Sequence, residues 1–247
     1  MGKRERARRR QQNRKHDTLR KPGPVALPKR VGVGNARKPA KADASSLTVA
    51  SLVTMPGHVL IVGDGDFSFS RAVASIRGSH VPGDLQCTSL DSASTVTAKY
   101  PRAQQHLASL HTHPSCTVRH SVDATNLHGT NFSGRLFSRI VFMFPHTGKQ
   151  RVHMNRNLIS EFLSSCEPVL AQGGLVLVTI KDRPPYSRWN IAELAVGTGL
   201  ELKAKLPFDA DEFPGYAHRT TDPTAKKLVI DSQSANTFVF GRPRTSG

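Results

Sequence analysis

The sequence predicts an α/β fold, a mostly parallel sheet of about seven strands with helices on both faces, preceded by a disordered basic tail. Three observations carry this. Short, apolar, β-branched runs recur between residues 58 and 240 and alternate with stretches of helical periodicity, the pattern of a parallel sheet covered on both sides. Glycine- or acid-rich turns follow several of these runs. Charge is segregated: the 247 residues carry 35 Lys and Arg against 18 acids, a net charge of +17, yet residues 1–41 alone hold 15 of those bases and only 2 acids. The remainder is nearly balanced.

Residues 1–41 include KRERARRRQQNRK followed by scattered Pro and Gly. Like charges at this density repel and the prolines interrupt helix, so disorder in isolation is expected. Arg8, Arg9 and Arg10 suit RNA phosphates through counterion release. Such clusters also serve sorting, to the nucleus and nucleolus or, as the alternative for an Arg-rich and acid-poor N-terminus, to the mitochondrion. Residues 42–56 read as a linker and 57–247 as the folded domain.

Within that domain His58–Val62 is a buried strand ending at Gly63, and Asp66–Ile76 follows at helical spacing. Asp84–Leu90 is a second strand and Ser92–Leu110 a helical stretch. Thr117–Val122 and Arg139–Phe144 are the third and fourth strands. Leu158–Leu170 has helical periodicity and stops at Gly173 and Gly174. Leu175–Ile180 is a fully apolar strand, Trp189–Val196 a helix, and Leu200–Leu206 and Asn236–Phe240 the last strands. No internal repeat is visible. No apolar run reaches the ~18 residues of a membrane span, and the N-terminus lacks the apolar stretch of a secretory signal.

In such sheets ligands sit beyond the carboxyl ends of the strands, and the polar motifs cluster there. Val62-Gly-Asp-Gly-Asp-Phe-Ser-Phe-Ser70 is a glycine turn in which Gly63 and Gly65 allow close backbone approach. Ser68 stands where a dinucleotide fingerprint needs its third glycine, and no Walker lysine is present. Asp64 and Asp66 repel a pyrophosphate and suit a ligand with a cationic amino-acid end, such as S-adenosylmethionine. Asp91, about 25 residues on, is placed to accept from ribose hydroxyls, although Asp is also a good helix N-cap. Asp123 in VDAT could meet an adenine edge or simply form an Asx turn. In FMFPHTG, Pro145 ends a strand and the turn projects His146 into the cleft. Lys181, Asp182, Tyr186 and Trp189 cluster after the fifth strand, where aromatic and basic groups together can clamp a base. FPGYAHRT at 213–220 is a further turn of the same character. Cys87, Cys116 and Cys166 form no CxxC pair, and the His106–His120 stretch matches no usual zinc spacing, so no metal is expected.

Together VGDGDFSFS, TSLDS, KYP, VDAT, RIVFMFPHTG, VTIKDRPPYSRWNI and FPGYAHRTT, in order over residues 58–221, resemble the 25S rRNA (uridine-N3) methyltransferase-like domains. The resemblance implies a Rossmann-like fold, S-adenosyl-L-methionine as cofactor, ribosomal RNA within the pre-ribosome as partner, and 3-methyluridine as product. Carried over by position, it implies Gly63, Asp64 and Gly65 at the methionine end, Asp91 at the ribose and Asp123 near the adenine. Phe144, Pro145 and His146 would border the target base. The chain departs from the family pattern at Asp64, where Glu is usual, and at Met143, where Asn is usual. A methyltransferase-like RNA-binding assembly factor that has lost catalysis is therefore the alternative. Uracil's ring N–H must lose a proton to become a good nucleophile, for which His146 is the first candidate base and Asp182 the second.

Overall fold

A computed structural model describes residues 47–129, 132, 134–219 and 235–244. The basic tail with Arg8, Arg9 and Arg10 lies outside the described residues.

Seven strands form one sheet: β1 (Val59–Val62), β2 (Leu85–Thr88), β3 (Cys116–Arg119), β4 (Phe137–Met143), β5 (Leu170–Lys181), β6 (Glu201–Pro207) and β7 (Ala235–Gly241). Their spatial order is β3-β2-β1-β4-β5-β7-β6. The first five are mutually parallel, whereas β7 runs antiparallel to both β5 and β6. The order reverses at β1, so the carboxyl ends of β1 and β4 flank the switch point where open α/β sheets bind ligands.

Because side chains alternate along a strand, each central strand feeds two cores. Val59 and Ile61 of β1, Val141 of β4 and Leu177 of β5 pack with α1 (Val49–Thr54), α2 (Ser68–Arg77), α3 (Ala93–Lys99) and α4 (Ala103–Thr112). Leu60, Val62, Ile140, Phe142, Val176 and Val178 face the other way, against α5 (Val152–Cys166) and two 3-10 turns, Tyr186–Trp189 and Ile191–Ala195. This two-sided burial explains why the strands read as continuous apolar runs rather than as alternating ones.

Three expectations are corrected in detail. Part of the anticipated linker at 42–56 is helix α1, which a Thr48–Ser51 capping box starts and whose Val49, Leu52 and Val53 are buried. The single helical stretch 92–110 is two helices, broken at Tyr100-Pro101 because proline biases the preceding residue away from helix. Residues 189–196 form 3-10 turns rather than an α-helix, interrupted at Asn190, whose φ of 52° is left-handed.

Arg77, buried at the end of α2, donates to the carbonyls of Val53, Met55, Gly57, Pro82 and Gly83. One cation thus ties α1 and the entries to β1 and β2 together. It braces the strands from the end opposite the ligand loops.

Candidate functional site

A cleft of about 510 Å³ opens at the carboxyl ends of β1, β2, β3 and β4. The loops after these strands line it with Gly63, Asp64, Gly65, Asp91, Asp123, Phe144, Pro145 and His146, so eight residues singled out in the sequence come together.

The turn after β1 is built by exclusion. Gly63 has φ +66°, and a Cβ there would stand 2.6 Å from the Phe142 ring; one on Gly65 would stand 3.0 Å from the Tyr100 hydroxyl. The chain therefore passes flush against both rings and leaves its backbone open to a ligand. Asp64 accepts from both the backbone N–H and the hydroxyl of Ser70, each at 2.7 Å, and so anchors the turn to α2. Burial, reinforced by the neighbouring Asp66 charge, raises its carboxyl from the usual range to about 7. Asp66 accepts from Ser68 N–H at 3.0 Å and pairs with Arg219 at 2.6 Å.

Beyond β2, Lys99 holds Oδ2 of Asp91 at 3.2 Å, while Oδ1 has no protein partner among the described residues. Leu90 beside it is 65% exposed, an apolar surface left open in the cleft wall. Asp123 caps the 3-10 turn Ala124–Asn126 through Thr125, at 2.8 Å to both N–H and hydroxyl, and is itself exposed.

The other half of the cleft has a different character. Phe144 leaves β4 with φ +51°, a left-handed conformation that is costly for a bulky residue and turns Pro145-His146 across the strand ends. Gly148 N–H donates to His146 Nδ1 at 2.9 Å, so the neutral ring carries its hydrogen on Nε2. That nitrogen is buried and has no acceptor among the described residues. Burial, then the Lys181 charge, lowers the His146 pKa and keeps the ring neutral at pH 7. In this state His146 offers a hydrogen rather than a free lone pair, which does not match the role of base expected for it. Asn155 of α5, buried, fixes the loop by accepting from Thr147 N–H at 2.9 Å and donating to the Lys149 carbonyl at 2.9 Å.

The cluster expected after β5 divides. Lys181 is only 5% exposed, lies 5.6 Å from the Tyr186 ring centroid and has no hydrogen-bond or ion-pair partner among the described residues. Burial, then Arg183, lowers its pKa. None of Lys181, Asp182, Tyr186 and Trp189 lines the cleft, and Asp182 is held on the β6–β7 side by Lys205 at 3.0 Å and Asn236 at 2.6 Å. Its candidacy as a base is corrected on that geometry, since both partners of its carboxylate lie on β6 and β7. Trp189 is 1% exposed and sits behind His146, ring centroids 6.1 Å apart, with Arg156 donating to its carbonyl. It supports the cleft wall and is too buried to stack on a base. Tyr186 joins the two, 5.1 Å from Trp189 and 6.4 Å from His146.

The structure adds residues to which the sequence reading gave no role. The segment 213–219 forms a wall of the cleft with Tyr216, Ala217, His218 and Arg219. Ala217 exchanges hydrogen bonds with the Ser68 hydroxyl at 3.2 and 3.3 Å, and the His218 ring meets that of Phe144 edge-on at 4.5 Å. Burial, then the charges of Lys181 and Arg219, depress His218 to about 4. The FPGYAHR string signalled an aromatic and basic turn, but only its 149-residue reach to α2 shows which wall it builds. Asn155 carried no signal beyond being a polar residue inside an apolar-faced helix.

Among the described residues no group of three or more His, Cys, Asp or Glu could hold a metal ion, and no helix is long and apolar enough to cross a membrane. A protein of Arabidopsis thaliana, heavy metal-associated isoprenylated plant protein 41, is 34% identical over 67% of this chain and 33% of its own length. The 25S rRNA (uridine(2634)-N(3))-methyltransferase of Saccharomyces cerevisiae is 25% identical over 66% of each chain. The chain thus spans a third of the plant relative and two thirds of the yeast one. The glycopeptide N-methyltransferase MtfA, solved with S-adenosyl-L-homocysteine, superposes with a TM-score of 0.51 at 12% identity over 76% of this chain and 84% of its own, a likeness of fold. Residues 60–220 match the profile of the BMT5-like family, rRNA (uridine-N3-)-methyltransferase BTM5-like, and the chain belongs to that family.

Proposed function

We propose that this chain is an S-adenosylmethionine-dependent RNA methyltransferase that forms 3-methyluridine in large-subunit ribosomal RNA. The observation that carries the reading is the division of the cleft: four carboxylates, Asp64, Asp66, Asp91 and Asp123, on the β1–β3 side, and Phe144, Pro145 and His146 after β4 facing His218 and Arg219 of the 213–219 segment. A dinucleotide's phosphates would meet Asp64 and Asp66, whereas a ligand with a cationic methionine end is attracted there. S-adenosylmethionine, when bound, supplies an electrophilic methyl group. The chain's own contributions follow from where its residues stand. The Gly63–Gly65 backbone would border the methionine end, the free Oδ1 of Asp91 would accept from a ribose hydroxyl, and the exposed Leu90 would cover an adenine face. Asp123, already committed to Thr125, would contribute to the adenine region through its position in the turn. Phe144 and Pro145 would confine a uracil beside His146 and His218, with Tyr186 and Lys181 backing His146 from outside the lining, so that much of the rate comes from positioning the reactants.

The tail containing Arg8, Arg9 and Arg10 supports affinity for ribosomal RNA and delivery to the nucleolus, where pre-ribosomes are met. Calorimetric titration of the purified chain with S-adenosylmethionine tests the reading. Micromolar binding is expected, weakened at least tenfold in Asp91→Ala, with 3-methyluridine appearing in treated ribosomal RNA. A folded chain that binds no cofactor, alone or with RNA, would overturn it in favour of an assembly factor.

A further inference from the structure

The methionine end of S-adenosylmethionine carries two opposite charges on one carbon, an ammonium and a carboxylate. The four carboxylates that line the cleft attract the first and repel the second, so binding both needs a cation near the glycine turn. Among the described residues lining the cleft, Lys99 and Arg219 are the two with a full positive charge at pH 7, because burial keeps His146 and His218 neutral. Lys99 is bound to Asp91 at 3.2 Å, after β2, on the ribose side. Arg219 is bound to Asp66, the residue that follows Gly65, its Nε donating to Oδ2 at 2.6 Å. The other Asp66 oxygen accepts from Ser68 N–H at 3.0 Å, and the residue is 1% exposed. Asp66 is thus fully engaged within the protein and is a support, not an open ligand contact. The Arg219 side chain, by contrast, is 27% exposed, and its Nη1 and Nη2 have no partner among the described residues. Two residues before it, Ala217 exchanges hydrogen bonds with the Ser68 hydroxyl at 3.2 and 3.3 Å, which pins this wall to the start of α2.

Building on the methyltransferase reading above, we propose that Arg219 is the receptor for the cofactor's carboxylate, oriented for that task by Asp66. A guanidinium fixed through Nε keeps two parallel N–H donors at its far end, and these match the two oxygens of a carboxylate. A lysine ammonium has the charge without the fork and could not hold Asp66 and the ligand in the same geometry. The glycine turn and the 213–219 segment, far apart in sequence, then form one subsite: the backbone at Gly63–Gly65 lets the methionine end approach, and Arg219 fixes which way it lies. The simpler role for Arg219, neutralising the buried Asp66 and nothing more, makes a different prediction. It lowers the stability of the turn and weakens every ligand alike, with or without a carboxylate.

Decarboxylated S-adenosylmethionine, which lacks the carboxylate alone, separates the two. Calorimetry on the full chain measures its affinity beside that of S-adenosylmethionine. Wild type is expected to prefer S-adenosylmethionine by at least about tenfold, the worth of hydrogen bonds to a charged group. That preference runs against the overall field, since losing the carboxylate makes the ligand more positive and the acidic cleft favours the change. Arg219→Gln should weaken S-adenosylmethionine by at least about tenfold and leave the decarboxylated ligand within about threefold. Arg219→Lys should retain only part of the preference. Were Arg219→Gln unable to fold, the wild type and Arg219→Lys would still decide, an undiminished preference in Arg219→Lys counting against the fork. Equal weakening of both ligands in Arg219→Gln would overturn the proposal alone, as would a wild type that binds the two equally or a preference lost only in Lys99→Met. Failure of wild type to bind either ligand would remove the methyltransferase reading, and this proposal with it.

Discussion

Replacing Asp64 by Asn tests whether the turn after β1 carries a titrating group at its centre. Asp64 is 8% exposed, and burial with the adjacent Asp66 charge raises its carboxyl from 3.8 to about 7. A folded-state pKa above the unfolded one means the native state binds the proton more tightly. The resulting stability is complete below pH ~4 and is lost as the pH climbs to about 7. Each unit is worth about 1.36 kcal/mol, so two units of the window, pH 5 to 7, correspond to about 2.7 kcal/mol. Asn has nearly the same shape and its carbonyl can still accept from Ser70 N–H, but it does not titrate. Urea denaturation of wild type and Asp64→Asn from pH 5 to pH 8 isolates the group, because every other titration is common to both chains. The stability of wild type relative to the variant should fall by about 2.5 kcal/mol across that range. A difference constant to within about 0.5 kcal/mol, the scatter expected of an ordinary surface substitution, would refute the assignment. The same linkage makes a cationic ligand bind more tightly to wild type at pH 8 than at pH 6, and calorimetry in two buffers should detect the released proton.

Gly63→Ala places a methyl group 2.6 Å from the Phe142 ring at a left-handed φ, so stability should drop by about 1–3 kcal/mol in thermal unfolding and S-adenosylmethionine affinity should be lost with it. Asn155→Ala removes four hydrogen bonds to the loop carrying His146; about 2 kcal/mol of stability should go, and methyl transfer should fall at least tenfold while cofactor affinity measured by calorimetry holds. Asp182→Asn should leave methylation within about twofold of wild type in single-turnover assays, the expectation for an exposed carboxylate outside the cleft.

The parts of the fold legible in the sequence were those with short-range causes. Val59–Val62 and Leu175–Ile180 are apolar because both faces are buried, and that pattern survives without knowledge of partners. Gly63 and Gly65 were legible because a glycine turn between strand and helix has few other uses. What escaped depends on distance along the chain. Asp182 and Lys181 are neighbours in sequence with opposite fates, one fixed by Asn236 across the sheet and the other buried beside Tyr186. Nothing in KDRPPYSRW says which is buried, since a register shift of one residue exchanges them. Helix α1 was read as linker because six residues are too few for periodicity, and its stability comes from packing and a capping box rather than from propensity. Trp189 looked like a stacking platform by composition alone; its burial is set by α5 and His146, neither adjacent in sequence.

Met143 bears on whether the site retains chemistry, because a polar residue at a strand end bordering the substrate would be missed if it made the reaction possible. In this fold Met143 is the last residue of β4 and is half-buried, packed with the core shared by Val141 and Leu177. Its neighbour's backbone is already satisfied, with Phe144 N–H donating to the Thr179 carbonyl at 2.8 Å. The polar and charged groups on that side of the cleft come from other positions: His146 three residues onward, and His218 and Arg219 from the far wall. Met143 nevertheless lines the cleft beside Phe144 and His146, so Met143→Asn adds an amide to that wall without disturbing the polar groups already there. Its effect should fall on which RNA is methylated, read by comparing single-turnover rates on two uridine-containing RNAs, more than on cofactor affinity.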